Sequence, residues 1–222
     1  MKNKVSKDTI EKWLKGWCLS RELPLPIVFK SGFKVEVGYP NQKTRYVFPE
    51  LNEDFIELIS SINDPWVYLK VCASPEEVKK QISGKWEIQP QGYMMSCSHS
   101  MNIPDISLHQ DYQLEYESYN STSVVKIVTK EGELASTGRL VLVNDLAVYD
   151  RIFTENNHQR KGLATFLMKE LEKIALSKGV VNNFLIATEA GKMLYQPLGW
   201  KIESLYTSIV IPEINLDQKD RT

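Results

Sequence analysis

Residues His158 to Ala175, HQRKGLATFLMKELEKIA, run polar and basic side chains, a glycine and an amphipathic segment in immediate succession. His158, Gln159, Arg160 and Lys161 lead into Gly162. Leu163, Phe166, Leu167, Leu171 and Ile174 then recur on one helical face, with lysines and glutamates opposite. The first turn of a helix leaves backbone N–H groups without internal partners and carries the positive end of the helix dipole. Such a mouth suits an anion, a pyrophosphate above all. Gly162 admits a ligand where a side chain would collide, and Arg160 and Lys161 add positive charge. The pattern Gln/Arg-x-x-Gly-x-Gly/Ala is short, and average residue usage puts about 0.2 chance matches in a chain of this length. Taken alone, it reads at least as well as a plain helix start with a solvated basic cap, so its surroundings decide.

Those surroundings are a strand before and a strand after. Leu146–Thr154, LAVYDRIFT, reads as a strand, and Phe184–Thr188, FLIAT, as a short buried one. With the helix from Gln159 to Ser177, closed by Gly179 as C-cap, they form a βαβ unit with parallel strands and a right-handed crossover. Upstream, YQLEYESY, SVVKIVT and LASTGRLVLVN are strand candidates, the last two joined by a turn at Lys130–Glu133. Downstream come a short helix, EAGKMLYQPLG, and the last strands in WKIESLYTSIVIP. The polar tail after Pro212 is expected to fray.

The first half is organised differently. A capping box from Asp8 to Glu11 opens a helix carrying Ile10, Trp13, Leu14, Trp17 and Cys18. FKVEVG and YVFP read as a hairpin, Asn52 as the cap of a helix with Phe55, Ile56 and Ile59, and WVYLKVCA as a strand. Ser74-Pro75-Glu76-Glu77 starts another helix, which Gly84 ends. No glycine loop opens a helix after a strand here. The stretch around Asn102–Asp105 is the expected boundary, giving an α+β domain at 1–105 and a second domain at 106–222.

The chain has 222 residues, a formal net charge of -1, 42% hydrophobic and 25% charged residues, a globular composition. Balanced charge argues against nucleic acid or an anionic membrane as the main partner. No apolar run approaches the ~20 residues of a membrane span, and the charged start has no apolar core of the secretory kind. Cys18, Cys72 and Cys97 are an odd number without metal or redox spacing; free thiols in a reducing cytoplasm are expected, and no metal.

TENNHQRKGLATFLMKELEKIA followed by ATEAGKMLYQPLGWKIES resembles the GCN5-related N-acetyltransferase (GNAT) family, over roughly residues 110 to 212. The resemblance implies a mixed, mostly antiparallel sheet whose central parallel strands splay, with the pantetheine arm of acetyl-CoA in the wedge. It implies acetyl transfer to a primary amine of a small molecule or peptide, by direct transfer in a ternary complex. The acetyl-CoA motif falls on Gln159, Arg160, Lys161, Gly162, Leu163 and Ala164, with amides through Thr165 on the pyrophosphate. Phe153 and Thr154 fall where backbone groups hold the thioester and pantetheine, and Ile152 lines the approach. The second motif falls on Tyr195, Gly199 and Trp200. Two positions depart from the pattern: Thr188 stands where asparagine is frequent, among the coenzyme contacts, and Asn156 replaces a proline before the loop.

The chemistry needs two proton-handling groups, one to take a proton from the attacking ammonium and one to protonate the leaving thiolate. A phenol near 10 can protonate a thiolate whose thiol titrates near 8.5 at modest cost; Tyr195 is the candidate acid. Strand alternation places Val148, Asp150, Ile152 and Thr154 on one face, which makes Asp150 the candidate base, unless an arginine such as Arg151 ties it down. Glu189 is expected to cap the short helix, His158 to be solvated, and Trp13, Trp17, Trp66 and Trp86 to be core. Gly92–Met95 is either an acceptor wall or an ordinary strand. The first half stays open between a degenerate copy of the same fold, a surface for homodimerisation and a specificity domain; one packed beside the second half, walling the acceptor site, is favoured. The alternative to an enzyme is a non-catalytic acyl-CoA sensor or interaction module.

Overall fold

A computed structural model describes residues 5–213; the tail expected to fray lies, from residue 214 on, outside the described residues. The chain runs α1 (Lys7–Leu19), β1 (Ile27–Phe29), β2 (Gly32–Tyr39), β3 (Gln42–Phe48), α2 (Glu53–Ser61), β4 (Val67–Val71), α3 (Pro75–Lys79), β5 (Glu87–Ile88) and β6 (Gly92–Cys97). It continues with β7 (Tyr112–Tyr119), β8 (Thr122–Thr129), β9 (Leu134–Val143), β10 (Leu146–Thr154), α4 (Leu163–Ser177), β11 (Asn182–Ala187), α5 (Glu189–Tyr195) and β12 (Lys201–Val210).

Local chemistry accounts for most of these bounds. Asn52 and Ser74 cap α2 and α3 as their side chains predict, Ser74 in a reciprocal box with Glu77. Three expectations shift. α1 is capped by Ser6, which accepts from the Thr9 amide at 3.0 Å, while Asp8 sits in the first turn and pairs with Lys12. α3 ends at Lys79 rather than at Gly84. The last strands are one continuous strand, β12.

That strand joins the halves. The twelve strands form one sheet in the order β1-β2-β3-β4-β12-β6-β11-β10-β9-β8-β7, with β5 also on β12. Lys201–Tyr206 bond to β6, and Thr207–Val210 bond to β4. β6 precedes the expected boundary at residue 105, yet it lies between β11 and β12, within the sheet of the second half. Two strand pairs are parallel, β10 with β11 across α4 and β3 with β4 across α2, so the first half holds a βαβ unit of its own. Its helix mouth is unlike that of α4: Asn52 caps it by accepting from the Phe55 amide, and Glu53 and Asp54 occupy the first turn, an acidic start that repels anions.

Three cores fill the layers. α4 covers one face of β8 to β11 through Leu163, Leu167, Met168 and Leu171. α1 covers the other face and crosses the junction: Ile10, Trp13, Leu14 and Trp17 cluster with Val148 and Phe184 of the second half, Phe33 and Val47 of the first, and Tyr206 of β12. α2 and α3 close the far end over Leu69, Val71 and Ile209. The halves therefore share one buried cluster as well as one sheet.

At Gly16, α1 lies tight against β10. A Cβ there would stand 2.7 Å from Val148 Cβ and Cγ2. Helix propensity favours alanine over glycine by about 1 kcal/mol, but overpacking a tight contact costs about 1–3 kcal/mol. Gly16→Ala is accordingly expected to lower stability in urea denaturation, and Val148→Ala added to it to recover part of the loss; a stabilised Gly16→Ala would contradict the contact.

Candidate active site

β10 and β11 bond in register at only three positions, Leu146 with Asn182 through Val148 with Phe184. Beyond them the strands part. β11 stays bonded to β6 out to Ala187, and β10 to β9 out to Thr154. The wedge opens into a cleft of about 1130 Å³ that runs from the α4 mouth, past Tyr195, to Trp17, Arg45 and Lys70 of the first half.

The mouth of α4 has the chemistry to hold an anion. Gly162, the N-cap, has φ +74 and no side chain to cap with, and the first bond of the helix is from the Phe166 amide to the Gly162 carbonyl. Among the described residues, no amide from Arg160 to Thr165 donates to a protein acceptor. A Cβ at Gly162 would meet nothing within 4 Å, so conformation, not crowding by the protein, calls for glycine here. Arg160 also takes a left-handed φ of +62. The Gln159 side chain braces the loop, donating to the Thr154 carbonyl at 3.3 Å and Asn156 Oδ1 at 3.0 Å. Lys161 donates to the Tyr112 hydroxyl at 3.2 Å. That hydroxyl also meets His158 Nδ1 at 3.0 Å, so His158 is half-buried and partnered rather than solvated.

β10 departs from simple alternation. Asp150 pairs with Arg139 and Phe153 with Thr137, so two residues, Arg151 and Ile152, oppose Gly138 alone. This bulge, with Arg151 at φ +51, flips the pleat. Val148 and Asp150 face α1, whereas Ile152 packs in the α4 core; the four residues expected on one face divide between two. The Glu155 amide and the Phe153 carbonyl both engage β9, so the ladder turns the backbone groups of Thr154 toward the wedge. Phe153 is 50% exposed beside it, and Thr154 Oγ1 lies 2.9 Å from Ser136 Oγ.

Asp150 is tied down, and not by Arg151. Arg21, just past α1, donates Nε to Oδ2 at 2.9 Å and Nη2 to Oδ1 at 2.8 Å, and the Ser20 hydroxyl donates to Oδ2 at 2.5 Å. The Ser20 carbonyl in turn accepts from Arg139 Nη1 and the Tyr119 hydroxyl. The end of α1 is thus locked onto β7, β9 and β10.

Tyr195 ends α5 and is 6% exposed, tilted against Trp200 with ring centroids 5.9 Å apart. Burial first, and the charge of Asp150 second, hold its phenol above the ordinary value of 10. Thr188, not Glu189, caps α5 by accepting from the Gly191 amide at 3.1 Å; Glu189 accepts from the Tyr93 hydroxyl and pairs with Lys192. In β6, Gly92 lines the cleft, while Met94 and Met95 are fully buried in the two cores. Trp13, Trp17 and Trp86 are buried and Trp66 is half-buried; Trp13 and Trp17 also border the cleft.

Sequence reasoning did not find the cations from the first half. Arg21, Arg45 and Lys70 line the cleft together with Arg151 and Arg160 of the second half, and Asp150 is its one carboxylate among the described residues. Lys70 could have been noticed as a charge inside the alternating strand VYLKV, and Arg45 inside KTRYVF. Among the described residues no group of three or more His, Cys, Asp or Glu is placed to hold a metal ion, and no helix is long and apolar enough to cross a membrane.

The Arg21–Asp150 lock carries three charge-assisted bonds in a partly buried setting. Asp150→Asn is expected to destabilise the protein by about 2 kcal/mol, read as a lower urea midpoint at unchanged slope.

No curated protein matches the sequence, but residues 93–200 match the Acetyltransferase (GNAT) family. Among solved structures, a GCN5-related N-acetyltransferase from Kribbella flavida is 13% identical over 90% of this chain and 94% of its own, with a TM-score of 0.64. One from Sphaerobacter thermophilus is 9% identical over 84% of this chain and 79% of its own, TM-score 0.59. A tandem GNAT protein from the clavulanic acid biosynthesis pathway is 11% identical over 83% of this chain and 80% of its own, TM-score 0.56. At such identities the likeness is one of fold, and it extends over both halves. Residues 93–200, with their bulged β10, splayed strand pair and open α4 mouth, are the stretch that is similar to the GNAT acetyltransferase family.

Proposed function

We propose that the protein moves the acetyl group of acetyl-CoA directly onto a primary amine in a ternary complex. The observation that carries this reading is the run of unpartnered amides from Arg160 to Thr165, opening on the same cleft as Tyr195. The residues suit the coenzyme: a glycine in the left-handed region shapes the turn, Arg160 and Lys161 add charge, and the wedge is bordered by Ile152, Phe153 and Thr154. Acetyl-CoA, when bound, supplies the activated thioester.

The roles of the chain's own groups follow. Amides of the α4 mouth hold the diphosphate, which binds where N–H groups and dipole converge. The Thr154 backbone offers hydrogen bonds along the wedge, and an amide at this strand end stabilises negative charge developing on the thioester oxygen. Tyr195 keeps its proton because burial opposes the phenolate; it donates that proton to the departing thiolate, whose charge the same buried site disfavours, and regains one of the two protons the ammonium loses on becoming an amide. Asp150, with both oxygens engaged, holds Arg21 at the cleft as a positioning residue, and the surplus proton of the amine leaves through water. Trp13, Trp17, Arg45 and Lys70 wall the acceptor end, the specificity role for the first half. Buried Cys18 and Cys97 and half-buried Cys72, all free thiols, suit a reducing cytoplasm.

The engagement of Asp150 also favours a second reading, a coenzyme-binding sensor without turnover. The two separate in one assay of CoA release over a panel of amines: release supports the enzyme, and a thermal shift with acetyl-CoA but no release with any amine supports the sensor. Tyr195→Phe is expected to slow release about 10²-fold with coenzyme affinity by calorimetry unchanged; an unchanged rate would remove Tyr195 from the acid role. Because the folded phenol titrates above 10, its proton is retained up to that pH, so kcat should not fall with an alkaline midpoint well below 10. Gly162→Ala forces a side chain into φ +74, a cost of about 1–2 kcal/mol, and is expected to weaken acetyl-CoA binding at least tenfold by calorimetry.

A further inference from the structure

The cleft is unevenly charged. At its first-half end, Arg45 is 9% exposed and stacks on Trp17 with its guanidinium carbon 3.7 Å from the ring centre; Arg21 stacks on the same ring at 4.8 Å. The Gln42 amide, turned so that its oxygen faces Arg45, accepts from Nε and Nη2 at 3.0 and 2.8 Å. Half-buried Lys70 lies across the ring of Tyr206, 5.7 Å from its centre, and donates to Ser208 Oγ at 2.7 Å. These partners are neutral. The carboxylate of the cleft, Asp150, is already held by Arg21 and Ser20, and neither Arg45 nor Lys70 has an ion-pair partner among the described residues. Burial pulls Arg45 down to about 10, and burial together with Arg45 and Arg21 pulls Lys70 well below its ordinary value, the behaviour of a positive site short of anions.

A second observation points to the same spot. Tyr206 lines the cleft with Lys70 over its ring, and its hydroxyl is buried with no hydrogen-bond partner. Buried hydroxyls are nearly always bonded. Two basic side chains without an ion-pair partner and a hydroxyl donor without an acceptor share one need, an oxyanion.

We propose that Arg45, Lys70 and the Tyr206 hydroxyl bind a compact oxyanion, a carboxylate or a phosphate, carried by the acceptor, so that the protein acetylates small amines bearing such a group. This rests on the acetyl-transfer reading for its reaction but not for its binding site. The site occupies the acceptor end of the cleft, on β3, β4 and β12, away from the α4 mouth on the other side of the wedge. An amine anchored by its anion there is offered to the thioester from the first half, with Arg21 and Trp17 bordering its path.

The experiment is steady-state CoA release with matched amines: a carboxylated series, a phosphorylated series, and the same amines with the anionic group amidated or absent. One of the anionic series is expected to exceed its neutral counterparts at least tenfold in kcat/KM, mainly through KM, and which series does so tells carboxylate from phosphate. Lys70→Met and Lys70→Gln should each reduce that ratio at least tenfold while leaving KM for acetyl-CoA unchanged. Lys70→Met should also raise the thermal midpoint of the free protein, because it removes a basic group whose charge is opposed by burial and by Arg45 and Arg21. Neutral amines serving as well as anionic ones, or a ratio unmoved by both variants, overturns the proposal. If no amine turns over, the acetyl-transfer reading fails by itself, and the site is then read by thermal shift with acetate and with inorganic phosphate: stabilisation lost in Lys70→Met upholds the oxyanion site, and equal shifts in both proteins overturn it.

Discussion

A parallel strand pair that stops bonding after three positions leaves backbone groups that must find other partners. In β11 the edge facing β6 stays paired to Ala187, while the edge facing β10 is left open to the wedge past Phe184. In β10 the edge past Val148 stays open toward the wedge, and the bulge at Arg151 and Ile152 turns that edge while β9 still holds the opposite one. The cleft is the space between these two open edges. Its open end at the α4 mouth follows from the same accounting, since a helix that begins on a left-handed glycine has no side chain to satisfy its first amides. Binding groups arise here wherever the fold leaves polar backbone unpaired beside open space.

Much of the second half was legible because its signals are local. Leu163, Phe166, Leu167 and Leu171 repeat with helical period and do face the core, and the glycine after four polar residues marks the mouth. Strands β7 to β10 alternate clearly enough to be placed nearly to the residue. The bulge was not legible: Arg151 takes a left-handed φ without being glycine or asparagine, and only the pairing with β9 imposes it. That one inserted residue undid the expectation that Asp150 and Ile152 share a face.

The end of the cleft at Arg45 and Lys70 was hidden for a related reason. A lysine or arginine on a strand ordinarily reads as a solvated side chain, and nothing near Arg45 or Lys70 in sequence says otherwise. Their burial comes from α1, whose Trp13 and Trp17 lie over strands far along the chain. Arg21 was missed likewise, since its partner Asp150 is 129 residues away. Sites assembled across such separations leave little trace in local pattern, whereas helix caps such as Asn52 and Ser74 leave a plain one.

β12 also sets an order of events during synthesis. Its residues 201–210 must clear the ribosome before β4 and β6 can be bridged, by which time the first half has been waiting for more than a hundred residues with the β4 edge unpaired on that side. Contacts of this sequence separation close late and slowly. The nascent chain therefore passes through a stage in which that edge and the apolar surface beneath α1 are uncovered, the stage at which a chaperone would have most to hold.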